Sequence, residues 1–113
     1  MKQLEWLGSS RSDIKAFEDD ARREAGYQLL FVQLGLEPTD WKPMPSVALG
    51  VNEIRIHKRT ANRVLYVAKF ANAIYVLHCF IKKTQKTDSC DIDIAKKRYG
   101  ELVESLKKSR KKP

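Results

Sequence analysis

Ala73-Ile74-Tyr75-Val76-Leu77-His78-Cys79-Phe80-Ile81 runs without a break into Lys82-Lys83-Thr84-Gln85-Lys86-Thr87. The first part is apolar on both faces of a strand except at His78, so both faces need cover and the strand belongs in the middle of a sheet. The second part gathers three lysines with hydrogen-bonding side chains, a composition suited to holding phosphate.

Working upstream, residues 51–57 and 63–70 read as two further strands, each with a cation set into an apolar run: Glu53-Ile54-Arg55-Ile56 and Arg63-Val64-Leu65-Tyr66. The basic loop Lys58-Arg59-Thr60-Ala61-Asn62 joins the first two, and the Ala71-Asn72 turn joins the second to the third. Sequential antiparallel hairpins are the economical arrangement. Nearer the N-terminus, Lys2–Leu7 fits a short strand ending at Gly8, and Ser12 to Phe17 a short helix. A longer helix follows from Ala21, with Tyr27, Leu30, Phe31 and Leu34 at the spacing of one buried face and Gly35 as its stop. Residues 36–50, with Pro38, Pro43, Pro45 and Gly50, read as a loop in which Trp41 and Met44 are anchors. Downstream, Asp88 or Asp91 caps a last helix whose buried stripe is Ile92, Ala95, Tyr99, Leu102, Val103 and Leu106. The order β-α-α-β-β-β-α predicts an α+β domain over residues 1–106, a small antiparallel sheet with helices packed on one side, and a basic, flexible tail over 107–113.

The 113 residues suffice for one domain with one modest core. With 42% hydrophobic and 32% charged residues the chain is neither disordered nor membranous in composition. No run approaches the roughly 20 apolar residues of a membrane span, and Glu5 interrupts any leader-like start, so a cytoplasmic protein is expected. Cys79 and Cys90 read as free thiols, and the absence of CxxC or HxxxH spacing argues against a metal site; no cofactor is expected. The net charge of +8 is unevenly spread: residues 53–87 hold eight basic side chains against one acidic. Charge focused on the strand-rich middle attracts polyanions.

Arg55 and Arg63 can each present a planar fork to a phosphate, with Lys82, Lys83 and Lys86 around it and Gln85, Lys58 and Arg59 extending the surface. Arg63 is the expected main clamp, an exposed cation whose removal would leave folding intact; the alternative is an ion pair with Glu53 across the hairpin. His78 has the intrinsic pKa for proton transfer, but a lone histidine on an apolar strand is more often a satisfied core residue. Tyr66 could touch a ribose or a base, or simply pack. A lysine of the 82–86 cluster, its pKa lowered by neighbouring cations, could also move a proton, so the general acid and base stay open. There is no glycine-rich phosphate loop and no HExxH.

Taken together, Gly50-Val51-Asn52-Glu53-Ile54-Arg55-Ile56, Arg63-Val64-Leu65-Tyr66, Phe80-Ile81-Lys82-Lys83-Thr84-Gln85-Lys86-Thr87 and Ala95-Lys96-Lys97-Arg98 resemble the phage-derived Gp49-like toxins of the RelE/HigB superfamily, over about residues 3 to 106. The resemblance implies a RelE-like toxin fold and a metal-independent endoribonuclease that cuts mRNA, commonly on the ribosome. It implies inhibition by a helix-turn-helix antitoxin in a toxin–antitoxin hetero-oligomer. By position, Arg63 matches the superfamily's phosphate-contacting strand arginine, Arg55 a basic strand position facing the cleft, and Lys82, Lys83 and Lys86 the basic residues after the last strand. Other members place a catalytic tyrosine or histidine late in the chain; Tyr99 is the only such residue here and lies on the helix stripe. The residues alone also admit a module that grips nucleic acid without cutting it, or a basic groove that docks an acidic protein segment.

Overall fold

The computed structural model describes residues 1–111. Its elements are β1 (Gln3–Trp6), α1 (Ser10–Lys15), α2 (Asp19–Gln33), β2 (Trp41–Pro43), β3 (Val51–Lys58), β4 (Thr60–Val67), β5 (Ala73–Lys82) and α3 (Ser89–Lys111). The five strands form one sheet in the order β1-β5-β4-β3-β2. The expected hairpins β3–β4 and β4–β5 are present and antiparallel. The sheet as a whole is mixed, because β1 pairs parallel to β5, with Gln3 opposite Ala73. This corrects the all-antiparallel expectation. Two helices intervene between β1 and the rest of the sheet, so no tight hairpin dictates its direction.

The short strand β2 lies where the sequence suggests only a loop. Trp41 pairs with Ile54 and Pro43 with Asn52, and at the sheet edge Pro43 needs no ladder N–H. Between β3 and β4 the chain reverses at Arg59, in the left-handed region at φ 62, with Lys58 paired directly to Thr60. The turn is therefore tighter than the five-residue loop expected. Gly35, at φ 83, ends α2 in a Schellman arrangement: Leu36 N–H donates to Phe31 O and Gly35 N–H to Val32 O.

β5 is an interior strand, between β1 and β4, and is covered on both faces, as its composition requires. Ile54, Ile56, Val64, Tyr66, Ile74, Val76 and Cys79 pack beneath α1 and α2 through Ile14, Phe17, Ala21, Ala25, Leu29 and Val32. Residues of the other parity, Val51, Leu65, Val67, Tyr75, Leu77 and Phe80, pack with Met44, Val47 and with Ala95 and Leu102 of α3. So α1 and α2 lie together on one side, and α3 closes part of the other. Five residues of its expected stripe are borne out: Ala95 and Leu102 are buried, and Ile92, Tyr99 and Leu106 pack around them, while Val103 is half-buried outside that cluster. The stripe predicted for α2 is not. Tyr27, Leu30 and Leu34 are exposed, and the buried face is Ala21, Ala25, Gln28, Leu29 and Val32.

The helix α3 continues past Leu106 to Lys111, so the basic segment assigned to a tail begins as helix; its last two residues lie outside the described residues. Both cysteines are free thiols, and burial pushes the Cys79 thiol pKa far up. Among the described residues no helix is long and apolar enough to cross a membrane.

Candidate nucleic-acid interface

Sheet geometry decides which cations meet. Arg55 and Arg63 are directly opposite each other in the β3–β4 ladder, and Arg63 is opposite Phe80 in β4–β5. Side chains paired in this way point to the same face, the one that α3 only partly covers. Two pairs further along, and so on the same face, Ala61 is opposite Lys82. The result is an open cleft lined by Arg55, Ala61, Arg63, Lys82, Lys83, Thr84 and Gln85. Five of the residues singled out from the sequence thus converge: Arg55, Arg63, Lys82, Lys83 and Gln85.

Arg63 does not stand free in this cleft. Its side chain is 4% exposed and its Nε lies 3.6 Å from Oε1 of Glu53, whose side chain is fully buried. Its Nη1 donates to the carbonyl of Asn62 at 3.0 Å. The ion pair with Glu53, one of the two readings open from sequence, is present, and the expectation of an exposed cation is overturned. Burial lowers the Arg63 pKa, as does the adjacent Arg55, while Glu53 works against both. The group stays a cation, since the guanidinium is protonated throughout the range of protein chemistry.

Lys82 is half-buried at the end of β5. Its pKa is lowered, first by desolvation and then by Arg63, with Glu53 opposing. Lys83, Thr84 and Gln85 are exposed on the following loop, where Thr84 Oγ1 donates to the Lys86 carbonyl at 2.7 Å. Lys86 itself is exposed but does not line the cleft.

Four other residues proposed from sequence lie elsewhere. Tyr66 points to the opposite face, buried beneath α2, where burial pushes its hydroxyl pKa up to about 12 despite a hydrogen bond with Asn52. Lys58 and Arg59 are at the tip of the β3–β4 hairpin, and Arg59 reaches Glu18 at 3.8 Å. His78 is on the α3 face but engaged: Nε2 lies 2.7 Å from Asp91 Oδ1, Nδ1 lies 3.5 Å from Arg98 Nη1, and the ring stacks on Phe80. A guanidinium only donates, so Nδ1 is the acceptor and Nε2 carries the proton given to Asp91. With both nitrogens occupied, His78 ties α3 to β5. The extra β5 residue at Leu77 in the β4–β5 ladder helps turn it that way. Tyr99 also packs, with Lys69 Nζ 5.4 Å from its ring centre.

The residue that sequence reasoning left out of the site is Glu53. Beyond the pairing with Arg63 weighed against a free cation, its signal is a lone carboxylate in a strand otherwise alternating apolar and basic, flanked by Asn52 and Ile54. Among the described residues no cluster of three His, Cys, Asp or Glu side chains could hold a metal ion.

The cleft joins cations from three strands and a loop in one site that can bind the phosphates of a polyanion. No protein of curated function matches the sequence. Residues 12–100, spanning every cleft residue, match the family described as phage derived protein Gp49-like. The chain belongs to the phage-derived Gp49-like family.

Proposed function

We propose that this protein is an endoribonuclease that cleaves mRNA, the toxin of a toxin–antitoxin pair. The observation that carries the reading is the convergence of Arg55, Arg63, Lys82, Lys83 and Gln85 on one cleft. Membership of the Gp49-like family supports it. In the proposed reaction the ribose 2′-oxygen attacks the adjacent phosphorus as its proton leaves. The P–O5′ bond breaks, and the products are a 2′,3′-cyclic phosphate and a 5′-hydroxyl that takes up a proton. Arg63 and Arg55 stabilise the charge that builds on the phosphoryl oxygens, the contribution that usually dominates such catalysis. Lys83 and Gln85 hold the neighbouring backbone. Lys82, whose lowered pKa brings its two protonation states closer in energy at neutral pH, is the best-placed group in the cleft to move a proton.

The partners follow from the same reading: mRNA, the translating ribosome, and a helix-turn-helix antitoxin that holds the toxin inactive in a hetero-oligomer. A cytoplasmic site of action goes with them. The engagement of both His78 nitrogens favours a second reading, a module that grips nucleic acid without cutting it, because it leaves the cleft without a free imidazole.

The test is induced expression of wild type and of a Lys82→Ala/Lys83→Ala double variant in a bacterial host, with new RNA 5′ ends mapped within minutes. Discrete new ends in translated messages with wild type alone are expected. No new ends from wild type, together with salt-sensitive binding of RNA by the purified protein, would select the second reading.

A further inference from the structure

We infer that Glu53 is a positioning residue, which fixes the orientation of Arg63 in the cleft; this rests on the phosphate-cleft reading above. Three observations carry it. First, Glu53 is fully buried on the cleft side of β3, in a position opposite Leu65 and two residues from Val51. An apolar side chain would suit that place better, since desolvating a carboxylate opposes folding. Second, neither carboxylate oxygen accepts a hydrogen bond among the described residues, nor does the Nε of Arg63 or of Arg55 donate one. A carboxylate kept for stability would have its lone pairs satisfied. Third, the Arg63 guanidinium is held at two points, Nε facing Glu53 at 3.6 Å and Nη1 on the Asn62 carbonyl at 3.0 Å, with Nη2 outside both tethers.

Arg55 and Arg63 are directly opposite each other, where like charges repel. Glu53, beside Arg55 on β3 and diagonal to Arg63, offsets that repulsion before any phosphate arrives. Its charge lets two guanidinium groups converge on one point in the free protein, and its place on a rigid strand sets the plane of Arg63. Glu53 is too deeply buried to touch RNA itself, so its effect on cleavage is transmitted through Arg63.

The experiment compares wild type, Glu53→Gln and Glu53→Asp for thermal unfolding, cleavage of RNA, binding of a 2′-O-methyl RNA oligonucleotide that cannot be cut, and the NMR signal of the Arg63 Nε–H group, assigned with Arg63→Lys. In Glu53→Gln, the Arg63 signal is expected to move and oligonucleotide affinity to stay within about threefold, while cleavage falls by about 10- to 100-fold as misorientation predicts. Glu53→Asp, which keeps the charge one methylene further away, should fall less. Cleavage at the wild-type rate per folded molecule, an unmoved Arg63 signal, or cleavage and affinity falling together with folded fraction would overturn the assignment. Should Glu53→Gln fail to fold, Glu53→Asp decides by the same readouts. If wild type cleaves nothing, the enzymatic reading fails by itself. The Arg63 signal and its response to oligonucleotide then decide: unchanged by Glu53→Gln they overturn the positioning role, and changed they support it for binding.

Discussion

At the scale of single residues, the cleft divides cations by depth. Arg63 and Glu53 are buried together, so Arg63→Ala should cost about 3–5 kcal/mol because it strands a buried carboxylate. Lys83 is exposed, and Lys83→Ala should stay within about 0.5 kcal/mol. Urea unfolding of the two variants checks both, and equal stabilities would mean that the ion pair is solvated. The pairing of Arg63 with Glu53 was legible in the sequence as one of two options. Its burial was not, because depth on that face depends on Met44, Val47 and α3, residues remote in the chain. Tyr66 offers a pH test. Burial raises its folded-state pKa to about 12, against about 10 when unfolded. The unfolded chain therefore loses this proton first, and stability falls as pH rises from about 10 to 12, by about 2–3 kcal/mol at most. Tyr66→Phe should flatten that part of the stability curve relative to wild type, in denaturant midpoints taken between pH 9 and 12.

At the scale of elements, α2 shows where periodicity misleads. Its sequence carries two apolar stripes, one of large side chains through Tyr27, Leu30 and Leu34 and one through Ala21, Ala25, Leu29 and Val32. The second faces the sheet, since small alanines let the helix approach the strands closely. Leu29→Ala should then cost about 2–5 kcal/mol, as deletion of a buried leucine does, whereas Leu34→Ala should cost less than about 0.5 kcal/mol. Equal losses on chemical denaturation would restore the large stripe as the buried one. In α3 the single stripe left no such choice, and the sequence located it. Gly100 lies inside that helix, and a Cβ there would meet nothing within 4 Å. Gly100→Ala should therefore raise the unfolding free energy by about 0.5–1 kcal/mol. The strand β2 escaped notice because three residues ending in proline carry no alternation to read, and the parallel direction of β1 because pairing partners distant in sequence leave no local mark.

At the scale of the whole molecule, the hairpins β3–β4–β5 were legible because each strand is long and bounded by turn signals, and their register carried Arg55, Arg63 and Lys82 to one place. Parity accounts for the absence of Tyr66 from the cleft: it is one residue out of phase with Leu65 and faces the other core. The same geometry distinguishes a localised polyanion site from a diffusely basic surface. For single-stranded nucleic acid the slope of log affinity against log salt is about −0.7 per phosphate neutralised, so Arg55, Lys82 and Lys83 with a partly compensated Arg63 predict a slope of about −2 to −3. Lys82→Ala/Lys83→Ala should reduce its magnitude by about 1.4, while removal of residues 107–113, with five basic side chains and none acidic, should change it little. Fluorescence anisotropy of a labelled single-stranded RNA across a salt series measures both. If the C-terminal deletion lowers the slope and the double variant does not, RNA is held by the end of the chain, and the cleft loses its claim to the scissile phosphate.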